Sequence, residues 1–336
     1  MKVLVTGAGG FLGQYLVAQL VARGDRVRGL ARGSYPALER LGVESVRADI
    51  RDRQAVQAAV SGVEVVYHTA AVPGVWGAWE LFHSVNVRGT ENVIAACRAC
   101  GVRKLVFTSS PSVTFDGTDQ CGVDESAPYP QRWLCHYPHT KALAEQAVLA
   151  ANDGRDLLTC ALRPHLIWGP RDPHLVPRLI DRARRGRLRQ VGDGNNLIDM
   201  VYVENAARAH LLAADALGDQ SPVAGRAYFI TQGEPVRCWD WINAILGLVG
   251  LPPVRRRISA RLARCAGALL ETAYRLPRIE REPLMTRFLA AQLATSHYFN
   301  IERARRDFGY QPLVSTDEGM RRLGAWLTAG DEVTSS

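Results

Sequence analysis

The sequence predicts an α/β fold built on a doubly wound parallel sheet, with a smaller C-terminal substrate lobe. Three observations carry that expectation. Short apolar runs alternate with amphipathic helical stretches from the N-terminus to residue 163. The first run passes without a spacer into a glycine-rich turn and a helix. After Arg163-Pro164 the alternation degrades and Pro and Gly become frequent, as in Gly169-Pro170, Pro173, Pro177, Gly192 and Gly194. Strands separated by helices pair in parallel through right-handed crossovers, both faces of the sheet are covered, and a ligand lies beyond the carboxyl ends of the strands.

The first strand is expected at 2–6 (KVLVT), an unbroken apolar run after one lysine. Thr6-Gly7-Ala8-Gly9-Gly10-Phe11-Leu12-Gly13 follows and runs into the helical pattern Gln14 to Arg23. Strand, glycine turn and helix in that order make a dinucleotide-binding (Rossmann) unit. Gly7 permits the tight turn, Gly10 lets the backbone approach a pyrophosphate, and Gly13 lets the helix pack closely on the strand. The unpaired N–H groups of the helix N-terminus then face the phosphates.

The second strand is expected at 26–31. About 20 residues after such a turn an NAD-specific site places an acid for the ribose hydroxyls. Here the stretch reads Arg28-Gly29-Leu30-Ala31-Arg32-Gly33-Ser34, the acid is missing, and Arg32 stands beside the vacant position. A guanidinium there suits a 2′-phosphate, so NADP(H) is the preferred cofactor and NAD(H) the alternative. The third strand, 44–48, ends at Asp49, which is placed either to meet the adenine amino group or to cap the next helix. Further strands are expected at 63–68, 103–108 and 157–163, giving a dinucleotide-binding domain over 1–164 and a substrate-binding lobe over 165–327, with the chain returning to the main domain. A disordered tail is expected over 328–336.

Tyr137-Pro138-His139-Thr140-Lys141 opens a helix, and a spacing of four puts Tyr137 and Lys141 on one face of it. A phenol titrates near ~10, and a neighbouring ammonium favours its anion, which would make Tyr137 a general acid/base near neutrality. Thr108-Ser109-Ser110 ends the fifth strand, where a hydroxyl can hold a substrate oxygen against Tyr137.

With these pieces in this order, the sequence resembles the extended short-chain dehydrogenase/reductase superfamily. The matching pieces are TGAGGFLG at 6–13, HTAA at 68–71, Asn86-Val87-Arg88-Gly89-Thr90, TSS at 108–110 and YPHTK at 137–141. The resemblance makes Ser110, Tyr137 and Lys141 the catalytic set and extends the cofactor contacts to Phe11, Leu12, Ile50, Ala70 and Pro164. YPHTKALAEQAVLAAN at 137–152, LRPHLIWGP at 162–170 and HYFNIERARRDFGYQP at 297–312 look like the 3β-hydroxysteroid dehydrogenase branch. That branch includes sterol-4-carboxylate 3-dehydrogenases and bacterial 2-alkyl-3-oxoalkanoate reductases of olefin biosynthesis, whose substrates share a ketone or secondary alcohol β to a carboxylate on a large lipid. The implied chemistry is hydride transfer at the β-carbon with Tyr137 moving the proton. A homodimer is the expected assembly.

A lipid pocket needs apolar walls with a few placed polar groups. Trp76, Trp79, Trp133, His165 and Trp168, with Ser110, are its expected substrate contacts; the tryptophans fall on loops at the ligand-binding edge, and the irregular stretch 111–136 is long enough to be functional. Residues 258–276 form a basic amphipathic pattern, with Ile258, Leu262, Ala266, Leu269 and Ala273 on one side and Arg261, Arg264 and Arg275 on the other. It packs on the small lobe or lies on a membrane surface. His136, His139 and His165 lack metal-ligand spacing, so no metal is assigned.

Composition sets the remaining bounds. The chain has 336 residues, 47% hydrophobic and 22% charged, with no apolar run of the ~18 residues a span requires. No signal peptide is read, and a cytoplasmic protein, peripheral at most at the inner membrane face, is expected. Seven cysteines without framework spacing fit a reducing compartment; Cys97-Arg98-Ala99-Cys100 ends a helix, whereas redox pairs sit at helix starts. A net charge of +8 raises nucleic acid, but the arginines are dispersed, and the run Arg182 to Arg189 reads as a solvated helix end or an anion contact. The rival enzyme is a nucleotide-sugar epimerase or dehydratase holding a diphosphate on Arg171, Arg178 and Arg184. The rival of another class is a non-catalytic NADP-sensing protein.

Overall fold

A computed structural model describes residues 1–275 and 279–334. Seven parallel strands form the main sheet: β1 (Lys2–Thr6), β2 (Arg26–Ala31), β3 (Glu44–Arg47), β4 (Val65–His68), β5 (Lys104–Thr108), β6 (Leu158–Pro164) and β7 (Arg226–Ile230). Their spatial order is β7-β6-β5-β4-β1-β2-β3. The direction of winding reverses between β1 and β4, so the loops after those two strands diverge and leave a crevice at their carboxyl ends.

Near-continuous burial explains why these strands, the exposed edge strand β3 excepted, read as apolar runs: Val3, Leu4 and Val5 are inaccessible, as is every residue of β4 within 1%. One helix, Phe11–Ala22, buries Leu16, Val17 and Leu20 in the core that also holds Ala206, Ala207 and Ala213 of helix Val203–Ala216. Each buried leucine or valine contributes roughly 1.5–3 kcal/mol. Helix Val203–Ala216 and β7 therefore bring the chain back to the main sheet from within the second lobe.

The second lobe gathers helices Leu175–Arg184, Cys238–Leu248, Ala260–Arg275 and Arg287–Ala294 around a small mixed sheet. The stretch 111–136 is not wholly irregular. Its segment Gln120–Val123 pairs with His297–Phe299, which ties the loop after β5 to the far end of the chain.

Three expectations change here. Trp168, expected in the pocket, is fully buried in the core, edge-on to Tyr202 and Trp241, with Gly319 leaving room for it. Helix Ala260–Arg275 packs through Ala263, Gly267 and Glu271, because a Cβ on Gly267 would lie 2.6 Å from the Thr286 backbone; Leu262 and Leu269 face outward, 58% and 73% exposed. The last helix, Thr316–Thr334, continues through most of the stretch expected to be a disordered tail, and 335–336 lie outside the described residues. Cys97 and Cys100 close helix Gly89–Cys100 before left-handed Gly101, and burial pushes the Cys97 thiol up to about 12, which leaves it inert.

Candidate active site

The crevice begins at the glycine turn. Gly7 has a φ of +70°, and a Cβ there would lie 2.8 Å from both N and Cα of Ala70 on the loop after β4. A Cβ on Gly13 would lie 2.2 Å from the carbonyl oxygen of Gly7. The turn thus lies flush against its neighbours, and helix Phe11–Ala22 starts at Gly10 with no side chain capping it. Such a start presents backbone N–H groups to an anion. This cradle fits the pyrophosphate of a dinucleotide.

Beyond β2 and β3 the surface is strongly basic. Arg32 is exposed, its carbonyl accepting from Nε of Arg47 at 3.1 Å. Asp49 is clamped by Arg51, with Nε and Nη2 donating at 3.0 and 2.8 Å, and Arg51 holds its carboxyl below the usual carboxylate range. Asp49 is not a helix cap: Asp52 is, accepting from the backbone N–H groups of Gln54 and Ala55. Ile50 is buried against Gly89, where a Cβ would meet its side chain at 2.6 Å. The ring of Tyr35, to which no sequence signal pointed, lies over Gly9, whose Cβ would fall 2.1 Å from it.

The other end of the crevice is organised by helix His136–Ala150, whose first turn carries Tyr137 and whose second carries Lys141. Lys141 is 3% exposed, donates to the backbone carbonyl of Thr108, and lies 4.1 Å from the centroid of the Phe107 ring. Burial lowers its ammonium to about 7, with Glu145 opposing. At Tyr137 burial pushes the phenol up to about 12, while the neighbouring Ser110 acts downward. The expected depression of Tyr137 by Lys141 therefore fails in this state, because burial works against the charge on both groups and Lys141 engages the end of β5. Ser110 caps a short helical turn, with its Oγ 2.8 Å from that of Ser112.

Asn86 fixes helix His136–Ala150 to the loop after β4. It lies in the π-helical turn His83–Arg88, accepts from the backbone N–H of Val72 at 2.8 Å, and donates to Oγ1 of Thr140 at 3.1 Å. Thr140 donates in turn to the carbonyl of Tyr137 at 3.0 Å. Beneath, His68 bridges Thr6 and Thr90 at 2.7 and 2.9 Å and is held neutral by burial, which lowers it to about 3.

Ser110 and Tyr137 open onto a cavity of about 630 Å³. Phe115, Leu179, Ile198, Trp241, Phe288 and Leu289 are among its apolar walls, and Pro173, Leu166 and Phe299 extend them. His165 lines it as expected. Its Nδ1 lies 2.7 Å from Asp199 Oδ1, and its Nε2 lies 3.1 Å from Nδ1 of His297, whose own Nε2 donates to the carbonyl of Gln292 at 2.8 Å. Asp199 and His297 are polar members of this wall network that sequence reasoning missed; each is an isolated residue far along the chain.

Trp76, Trp79, Trp133 and Trp168, the tryptophans expected in the pocket, do not line this cavity. Trp133 stacks on His139 at 5.0 Å with rings 7° apart, Trp79 packs against His83, His136 and His139, and Trp76 donates from Nε1 to the carbonyl of Ile279 at 2.9 Å. Trp79 and Trp133 pack instead on the first turn of helix His136–Ala150, and Trp76 packs edge-on against Tyr274 of helix Ala260–Arg275. Of Arg171, Arg178 and Arg184, Arg178 reaches the cavity and is joined by Arg182.

A comparison with known proteins matches residues 4–259 to the model of the 3-beta hydroxysteroid dehydrogenase/isomerase family. The chain is 52% identical over 328 residues to a 2-alkyl-3-oxoalkanoate reductase of Stenotrophomonas maltophilia, covering 97% of this chain and 99% of that one. It is 40% identical over 325 residues to the sterol-4-alpha-carboxylate 3-dehydrogenase, decarboxylating, of Homo sapiens, covering 96% and 87%. Among solved structures, MoeE5 in complex with UDP-glucose and NAD superposes with a TM-score of 0.75 at 27% identity, covering 98% of this chain and 99% of that one.

Proposed function

The chain belongs to the 3-beta hydroxysteroid dehydrogenase/isomerase family and is an NAD(P)-dependent oxidoreductase; from that premise we propose that it interconverts the β-keto and β-hydroxy forms of a large lipid acid, as a 2-alkyl-3-oxoalkanoate reductase does. The observation that carries the reading is the apolar cavity of about 630 Å³ opening onto Ser110 and Tyr137. That volume falls in the range of small-molecule sites, and its apolar walls suit an alkyl chain or a sterol.

Gly7, Gly10, Phe11, Leu12 and Gly13 would hold the pyrophosphate, with Ala70 and Pro164 at neighbouring strand ends. A bound nicotinamide supplies the hydride that reduces the β-carbon, or takes it in the reverse direction. Tyr137 gives its phenolic proton to the oxygen that becomes the hydroxyl and takes it back on oxidation. Ser110 holds that oxygen and, by hydrogen bonding, favours the phenolate. Lys141 fixes the end of β5 and carries charge when protonated.

The cofactor reading is NADP(H). Arg32, Arg47 and Arg51 surround the end of the second and third strands, and a 2′-phosphate is a ligand for such a cluster. Steady-state kinetics with both cofactors decide it, since a ten-fold or greater preference for NADH would sink the assignment. Arginines beside the outward-facing Leu262 and Leu269 support a further element, contact of helix Ala260–Arg275 with an anionic bilayer that carries the substrate; co-sedimentation with anionic vesicles tests it. Among the described residues no helix is long and apolar enough to cross a membrane.

The reading is tested by a spectrophotometric assay with NADPH or NADH on a 2-alkyl-3-oxoalkanoate and on a 3β-hydroxysteroid. Turnover of either substrate is expected. The second reading, a nucleotide-sugar epimerase, rests on Arg178 and Arg182 in the cavity; stabilisation by a nucleoside diphosphate together with no turnover of either lipid would favour it.

A further inference from the structure

Charge inside the apolar cavity is confined and unbalanced. Among the described residues, and apart from histidines, its charged lining side chains are Arg178, Arg182 and Glu282, two guanidiniums against one carboxylate. Nη1 of Arg178 donates to both oxygens of Glu282, at 2.9 and 3.1 Å, and Nη2 of Arg182 reaches Oε1 at 3.5 Å. The side chain of Arg182 is 16% exposed, that of Glu282 30%. Burial and the neighbouring Arg178 both push the Arg182 guanidinium down, the direction expected where positive charge is under-compensated. A guanidinium offers five N–H donors in a planar fork, enough to serve a second carboxylate beside the first.

We propose that Arg178 and Arg182 form a carboxylate subsite of the lipid cavity, in which a monoanionic lipid acid completes the neutralisation that Glu282 begins. This rests on the reading of the enzyme as acting on β-keto or β-hydroxy lipid acids, and it deepens that reading by naming what selects the acid over a neutral ketone. The two arginines sit on successive turns of helix Leu175–Arg184, so both guanidiniums leave the same face. Leu175 and Leu179 of that helix line the cavity as well, which sets apolar contact beside the anion-binding face. Glu282 competes with the substrate for the same donors. Arginine and glutamate variants must therefore act in opposite directions, which a purely structural ion pair would not produce.

The experiment measures KM for a 2-alkyl-3-oxoalkanoate and for its methyl ester in wild type, Arg182→Gln, Arg178→Gln and Glu282→Gln. The arginine variants are expected to raise KM for the acid by about ten-fold while leaving that of the ester within about two-fold, in line with the loss of a charge-assisted hydrogen bond. Glu282→Gln is expected to lower KM for the acid. Equal changes for acid and ester, or a higher KM for the acid in Glu282→Gln, would overturn the subsite. Thermal melts with a long-chain fatty acid and its methyl ester need no turnover. Stabilisation by the acid alone, lost in Arg182→Gln, sustains the subsite even where the oxidoreductase substrate proves different; no selective stabilisation of wild type refutes it.

Discussion

Nε2 of His210 lies 2.8 Å from the hydroxyl of Thr108, and its Nδ1 lies 2.7 Å from the carbonyl of Ala206 in its own helix. A carbonyl only accepts, so Nδ1 carries the proton and Nε2 accepts from Thr108. Burial lowers the imidazole to about 4 and keeps it in that neutral form. Thr108 is also the residue whose carbonyl receives Lys141. A buried helix behind the sheet thus fixes the strand end on which Lys141 rests.

His210 and Thr108 act as positioning residues. His210→Phe and Thr108→Val are each expected to lower kcat about ten-fold with little change in KM. In a double-mutant cycle the two effects should fall short of additivity by about 1 kcal/mol, the worth of the shared hydrogen bond. Full additivity in steady-state kinetics would show that the pair does not act as a unit.

Lys141 makes the folded state's stability depend on pH in an unusual sense. Its folded pKa, lowered to about 7, lies below the unfolded value of 10.5. Between these values the unfolded chain binds more protons, so the lysine's contribution improves as pH rises through the window, and its penalty is fully present below about pH 7. The melting-temperature difference between wild type and Lys141→Met should therefore move in favour of wild type from pH 7 to pH 10. A difference independent of pH would mean that the ammonium is solvated.

The tryptophans give a selective prediction. Because Trp133 stacks on His139 and is absent from the cavity wall, Trp133→Ala should change KM for long-chain and short-chain substrates to a similar degree. Phe288→Ala removes an apolar wall and should raise KM for long chains preferentially, by up to about ten-fold, since each buried methylene is worth roughly 0.8 kcal/mol. Kinetics over a chain-length series separate the two.

How much of this was legible in the sequence depended on whether the signal was local. β1, its glycine turn and the Tyr137/Lys141 spacing are contiguous patterns, and their placement follows from short-range geometry. β7 and helix Val203–Ala216 were harder to place, because their role depends on a return to the sheet after a long excursion. The side-chain network of Asp199, His165 and His297 depends on a similar excursion, which brings together residues as far as 132 positions apart. Burial could not be read from the residue type of Trp168, and the leucines of helix Ala260–Arg275 form a periodic stripe that faces outward because Gly267 and Ala263 permit closer packing on the other side. The raised phenol of Tyr137 in the absence of cofactor has a related cause: sequence spacing supplies a neighbouring lysine but not the desolvation that acts on both.

The proposed role of Tyr137 is to move the proton during hydride transfer on a lipid substrate. It is tested most directly by measuring NADPH-dependent reduction of a 2-alkyl-3-oxoalkanoate by wild type and Tyr137→Phe, alongside cofactor binding by fluorescence. Wild type should turn the substrate over, and the variant should lose about 10³-fold in kcat with NADPH affinity unchanged, the range expected for loss of a general acid/base. A variant that keeps more than about a tenth of the wild-type kcat would contradict the account.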